Sequence, residues 1–267
     1  MSDSPATSSS DLFLPLYRQT PQSRFSDRAK DYAKYRPSYP DQAISAMLAG
    51  LGNPAELTAA DVGAGTGIAS RLVASRGVKV IAVEPNAAMR EVAQPHPNVE
   101  FRAGAAEQTG LQELVDLVFC TQAFHWFEPI ATLAEFHRIL QPGGRVALIW
   151  NDRDREDAFT NQYTDVIRQV SDPRYMERLD RKASDAEALK QSQWFENYRV
   201  MTFDNSHPLD RAGLVGVALS ASYVPKSGEA YERLVSGLQA LYDGWQGEVR
   251  LAYQTHLFLA ESKQAGC

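Results

Sequence analysis

The chain has 267 residues, 44% of them hydrophobic, and a formal net charge of −6. That length buries a sizeable core and suits one large α/β domain with a cap, while the acidic balance excludes a general electrostatic drive toward nucleic acid or an anionic membrane. No apolar run approaches the roughly 20 residues a bilayer requires, and the opening MSDSPATSSS is polar rather than signal-like, so the expected location is the cytoplasm.

Residues 1–20, rich in Ser, Pro and Thr, are predicted to be a disordered tail, with one domain over 21–267. FSDRAKDYAKYRPSYP follows at 25–40, where Pro37 forces Arg36 out of helical geometry. Asp41 can cap a helix that carries Ile44, Met47, Leu48 and Leu51 on one face. A first strand ends at Asp61 to Gly63, and a helix with Ile68, Leu72 and Val73 follows. Val80–Val83 forms strand two, Met89 and Val92 mark a helix, Val99–Arg102 is a short strand three, and Asp116–Thr121 is a buried strand four. Pro129 opens a helix with Leu133, Phe136, Ile139 and Leu140 on one side, Gln141-Pro-Gly-Gly144 stops it, and Arg145–Asn151 is strand five.

The core sheet is therefore expected at about 41–154. Phe159, Tyr163, Val166, Ile167 and Val170 predict a helical cap inserted after strand five, over about 155–190. In 191–267, Tyr198–Phe203 alternates as strand six, LVGVALSASYVP at 214–225 is a helix ending at Pro225, Ala230–Tyr242 is another, and Leu251–Leu259 is a last strand. Strands alternating with helices imply an α/β, doubly wound, mostly parallel sheet covered on both faces, with ligands at the carboxyl ends of its strands.

The segment DVGAGTG puts three glycines where strand one turns into a helix. Gly63 and Gly65 can take positive φ and leave no Cβ between backbone and ligand, and Gly67 permits close helix packing. Glu84 ends strand two, 84 − 63 = 21 residues after Gly63, where a ribose-binding carboxylate belongs. A pyrophosphate site wants GxGxxG, yet Ile68 stands at the third position, and Asp61 immediately precedes the glycine turn. An acid there disfavours phosphate and favours a nucleoside cofactor bearing positive charge. S-adenosylmethionine, with an ammonium, a sulfonium and no phosphate, meets that description.

With these motifs in place, residues 25–151 resemble class I S-adenosylmethionine-dependent methyltransferases. DVGAGTG is similar to the family's first motif, Glu84 to its acidic second motif, GAAE at 104–107 to its adenine loop, and LQPGG at 140–144 to the turn before strand five. RPSYP at 36–40 and QAFHWF at 122–127 narrow the resemblance to small-molecule enzymes that include the trans-aconitate methyltransferase-like group. The resemblance implies a seven-stranded sheet whose last strand is antiparallel. It also implies that Gly63, Ala64 and Gly65 lie against the methionine part of the cofactor, with Asp61 and the Gln122 carbonyl near its ammonium and Arg36 near its carboxylate. Glu84, followed by Pro85, would hold the ribose, the Ala106 N–H and Glu107 the adenine, and Tyr32 would cover the donor. Many relatives carry Asp where this chain has Ala105, which shifts adenine recognition to backbone or Glu107.

Methyl transfer is an in-line displacement in which alignment supplies most of the acceleration. Tyr32, Tyr35, Phe124 and Trp126 are candidate aromatic walls, with packing as ready a reading of each. A carboxylate acceptor needs no base; for a hydroxyl, His125 is the candidate base or orienting group. Ser220, Ser222 and Tyr223 are candidates to orient the acceptor, or to cap their helix. The five histidines and two cysteines show no metal spacing, so no metal is expected. The leading expectation is methyl transfer to a small-molecule oxygen by a monomer or homodimer. A non-turning-over cofactor sensor is the alternative, and a nicotinamide oxidoreductase is disfavoured by Ile68.

Overall fold

The computed structural model describes residue 17, residues 26–172 and residues 186–263. All of the expected tail except Tyr17, together with Phe25 and the middle of the expected cap, lies outside these residues.

The sheet is assembled from β1 (Thr58–Val62), β2 (Lys79–Val83), β3 (Val99–Arg102), β4 (Val115–Thr121), β5 (Leu140–Arg153), β6 (Phe195–Pro208) and β7 (Arg250–Ser262). Its order is β3-β2-β1-β4-β5-β7-β6. The first five strands pair in parallel, while β7 runs antiparallel to both β5 and β6. Chain order reverses between β1 and β4, and the crevice at their carboxyl ends is where an open α/β sheet places its ligand.

Residue alternation assigns the two faces of the sheet. In β4, Val118 and Cys120 join one apolar cluster with Phe136, Ile139 and Trp150. Leu117 and Phe119 join the other, with Ile44, Met47, Val73 and Leu257. The second face is covered by α2 (Asp41–Leu48) and α3 (Ile68–Ala74), the first by α5 (Pro129–Ile139). Each large side chain fully buried here contributes about 1.5–3 kcal/mol. Asn86 accepts from the Ala88 and Met89 amides to start α4 (Ala87–Glu91), and Glu128 accepts from Ile130 and Ala131 ahead of Pro129 to start α5. Asp41 differs from expectation: Pro40 is the N-cap of α2, and Asp41, already helical, pairs with Arg76.

A third apolar cluster forms the cap. It joins Phe159, Tyr163 and Ile167 of α6 (Ala158–Arg168) to Leu214 and Val217 of α8 (Arg211–Leu219), Leu234 and Leu238 of α9 (Gly228–Gly244), and Leu251 of β7. A short α7 (Ala186–Lys190) packs instead on the sheet cluster. The cap is thus built as much by the C-terminal helices as by the segment after β5. The helix expected to run to Pro225 ends at Leu219, with Ser220 as its C-cap.

The N-terminal segment straps this cap to the sheet. Arg28 donates to the carbonyl of Leu219, at the end of α8, and to those of Ala221 and Val224 just beyond it. α1 (Ala29–Tyr35) lays the Tyr35 ring against Gly216, where a Cβ would overlap it. His207 Nε2 lies 3.1 Å from the Tyr35 carbonyl.

Candidate functional site

The glycine turn is held open by β2. The Gly63 and Ala64 amides donate to the Val83 carbonyl at 2.9 and 3.2 Å, fixing the turn beside Glu84. Gly63, Gly65 and Gly67 have φ of +74°, +57° and +73°, which a side chain would strain. A Cβ on Gly63 would come within 2.7 Å of the Phe127 ring and 2.8 Å of Ala123 Cβ. A Cβ on Gly67 would strike the Phe101 ring on β3 at 2.7 Å, so this glycine serves packing and does not border the cavities below.

A cavity of about 400 Å³ opens above this turn. Gly63, Gly65, Glu84 and Pro85 bound one side, Ala105, Ala106 and Glu107 another, and Tyr32, Gln122 and Trp126 close it. The Glu84 carboxylate accepts from the Gly65 amide at 2.8 Å and the Asn86 amide at 2.9 Å. Burial raises its pKa, partly offset by those amides and by Arg90. Glu107 is oriented by the Glu128 amide at 2.9 Å, and paired backbone bonds between Ala105 and Gln108 shape the loop.

Asp61 lies beneath the turn and is 0% exposed. One carboxylate oxygen accepts from Ser70 Oγ at 2.5 Å, and the other, Oδ1, has no partner. Burial pushes its pKa up to about 7, against the lowering by Ser70 and with a further push from Glu84. An orphaned buried carboxylate oxygen beside a glycine cradle fits a ligand that brings a cation.

A second cavity, of about 380 Å³, shares Tyr32, Gln122 and Trp126 with the first. Asn151 to Arg153 at the end of β5, His125, and Val217 with Ala221 to Tyr223 at the end of α8 enclose it. A small space of about 20 Å³, bordered by Ala64, Tyr39, Arg36 and Gln122, adjoins both. Gln122, at the junction, holds φ +56° although it is not glycine, and its side-chain amide donates to the Asn151 carbonyl at 3.0 Å. Such backbone strain persists where the surroundings dictate the geometry, here at the point where two cavities meet.

His125 caps the second cavity. The Trp150 indole N–H points at its Nδ1 at 3.4 Å, a contact that leaves the imidazole proton on Nε2. Arg36 donates to the Ser220 carbonyl at 3.3 Å, lies over the Tyr32 ring, and keeps a buried Nε without a partner. Tyr223 accepts from Arg153.

The structure separates the expected aromatic walls. Tyr32 and Trp126 border both cavities, whereas Phe124 is 1% exposed and packs on Phe136 in the core. Tyr35 packs on α8 and borders neither. Ser220 is buried and donates to the Val217 carbonyl, which is the capping role, while Ser222 and Tyr223 face the second cavity. Sequence reasoning missed Met89, Ala123 and Phe127 in the first cavity and Arg153, Arg155 and Arg168 in the second. The sequence placed a cap over about 155–190 but singled out none of the arginines of DRDRED, whose charge suits a solvated face as readily as a cavity wall. Among the described residues no three His, Cys, Asp or Glu side chains converge as metal ligands, and no helix is long and apolar enough to cross a membrane.

Residues 60–148, the β1–β5 half of the sheet, match the family model described as a methyltransferase domain. Over this stretch the chain is similar to methyltransferase domains. An uncharacterized methyltransferase of Mycobacterium tuberculosis is 36% identical over 144 residues, 53% of this chain and 58% of that one. Another from Schizosaccharomyces pombe is 40% identical over 127 residues, 46% and 51% of the respective chains. The chain therefore spans about half the length of the curated relatives it matches. In three dimensions it is similar to a candidate type II methyltransferase from Anaeromyxobacter dehalogenans, with a TM-score of 0.63 and 23% identity over 85% of this chain and 98% of the other. That likeness establishes the fold.

Proposed function

We propose that the protein is an S-adenosylmethionine-dependent methyltransferase that methylates an oxygen of a small-molecule acceptor. The observation that carries this reading is the confluence of two cavities at Tyr32, Gln122 and Trp126, one on the glycine turn and one on His125. The first has the glycine cradle and the ribose-placed Glu84 that suit the donor, with the orphaned Asp61 oxygen beneath the turn and outside the cavity lining; the second is sized for a small acceptor. When bound, S-adenosylmethionine supplies a methyl on a sulfonium, so that the acceptor oxygen bonds to carbon as the carbon–sulfur bond breaks and sulfur keeps that pair.

The chain's own part is alignment. Glu84 and the Ala106–Glu107 loop would fix the nucleoside end, Asp61 and the Gln122 carbonyl the ammonium, and Arg36 the carboxylate. Tyr32 and Trp126 wall the junction and keep water from the displacement. The tautomer favoured by Trp150 makes His125 a hydrogen-bond donor toward an acceptor oxygen, which suits a carboxylate that has no proton to lose. RPSYP and QAFHWF support the narrower kinship with the trans-aconitate methyltransferase-like group.

Turnover tests the reading. Incubation with S-adenosylmethionine and a panel of small carboxylic acids and phenols should yield S-adenosylhomocysteine together with an O-methylated product, identified by mass. His125→Phe should lower turnover about 10²-fold through lost orientation of the acceptor while leaving S-adenosylhomocysteine affinity within twofold. Cofactor binding without turnover on any member of the panel would instead support the sensor alternative.

A further inference from the structure

The second cavity gathers guanidinium groups. Among the described residues, Arg36, Arg153, Arg155 and Arg168 border it against one carboxylate, Asp152, whose Oδ2 lies 3.8 Å from His256 Nε2. Arg155 already pairs with Asp165 at 2.9 Å. Arg153 has no such partner: among the described residues no carboxylate lies within salt-bridge distance of it, and its contacts are the Tyr223 hydroxyl and the face of Tyr163. A part-buried cation without a counter-charge is costly, and a ligand that supplies the charge offsets that cost.

The end of α8 should repel an anion, because helix carbonyls point out of it. Here those carbonyls are occupied: Ser220 takes Gly216, Val217 and Ala218, Arg28 takes Leu219, and Arg36 takes Ser220 itself. The cavity therefore presents Arg153 and the Tyr223 hydroxyl rather than the negative end of a helix.

We infer that Arg153, with Tyr223, is the specificity-determining subsite of the second cavity and anchors a carboxylate of the acceptor distinct from its reacting oxygen. This rests on reading the first cavity as the donor site. A planar guanidinium beside a hydroxyl matches a carboxylate, and among the described residues the cavity lining includes no helix N-terminus that would favour phosphate. The anchored group is not the nucleophile, since pairing with Arg153 draws charge from its oxygens. The acceptor accordingly carries at least two oxygen functions, one held at Arg153 and one presented beside His125 at the junction.

The test is isothermal titration of glutarate, with glutaramide and inorganic phosphate as controls, into the protein alone and into its complex with S-adenosylhomocysteine. Glutarate should bind the complex with a dissociation constant below about 1 mM. It should bind at least tenfold more tightly than glutaramide. Arg153→Met should weaken glutarate at least tenfold, Arg153→Lys should recover part of that loss, and Tyr223→Phe should weaken it severalfold. In each variant S-adenosylhomocysteine affinity should stay within twofold, which also reports that the variant is folded. Absence of glutarate binding, equal binding of the diamide, or indifference to Arg153→Met would overturn the inference. Tighter binding of phosphate than glutarate would overturn the carboxylate assignment. Glutarate binding that depends on Arg153 in a protein that ignores S-adenosylhomocysteine would leave the subsite standing and remove the donor reading instead.

Discussion

Asp61 carries the sharpest consequence at the scale of single residues. Its carboxyl, buried with an unpartnered Oδ1, holds its proton up to about pH 7, while in the unfolded chain it ionises near 4. Between those values the folded form binds the extra proton, so the Asp61 contribution to stability is full below about pH 4, falls as pH rises to about 7, and then levels. A ligand ammonium would reverse the preference by favouring the carboxylate. S-adenosylhomocysteine affinity should therefore rise about tenfold between pH 6 and pH 8, with proton uptake by buffer seen in calorimetry. Asp61→Asn should bind more weakly and with a flat profile; an unchanged slope in that variant would remove Asp61 from the cofactor site. The position of Asp61 before the glycines was legible in the sequence, but its burial was not. Whether an acid at a strand end faces solvent or core depends on what packs over it, here Ser70 of α3.

At the scale of elements, β1 to β4 and their helices were legible because period-2 and period-3.6 patterns are local, and Val99–Arg102 is found with the expected bounds, whereas β5 starts at Leu140 and runs through the turn expected at 141–144. The cap was less so. Its cluster joins α6, α8 and α9 across long sequence separations, so the segment 155–190 alone suggested a self-contained insertion. The strap of residues 26–36 shows the same limit: Tyr32 and Arg36 reach the cavities only because Tyr35 seats on Gly216 and Arg28 on the end of α8. Gly216→Ala forces the Tyr35 ring aside and should cost about 1–3 kcal/mol of stability, read from denaturant unfolding. It should also weaken S-adenosylhomocysteine binding, although Gly216 borders neither cavity. Loss of stability with unaltered binding would show that the strap is a brace and has no part in donor binding.

For the molecule as a whole, the glycine turn, Glu84 and Gln122 converge because β1, β2 and β4 end together at the reversal of strand order. That convergence follows from topology and was readable from the alternation of elements. The acceptor side was legible in part: Arg36, Ser222 and Tyr223 were candidates, whereas Arg153, Arg155 and Arg168 were not, because a charged run reads alike whether it meets solvent or a cavity. The account stands on the first cavity being a nucleoside-cofactor site held by Glu84, whose carboxylate is already fixed by the Gly65 and Asn86 amides. Isothermal titration of the protein with S-adenosylhomocysteine, beside Glu84→Ala and with NAD as the competing ligand, tests that directly. The account predicts micromolar binding of S-adenosylhomocysteine, a loss of at least tenfold in Glu84→Ala, and no binding of NAD; NAD binding in its place, or affinity indifferent to Glu84, would contradict it.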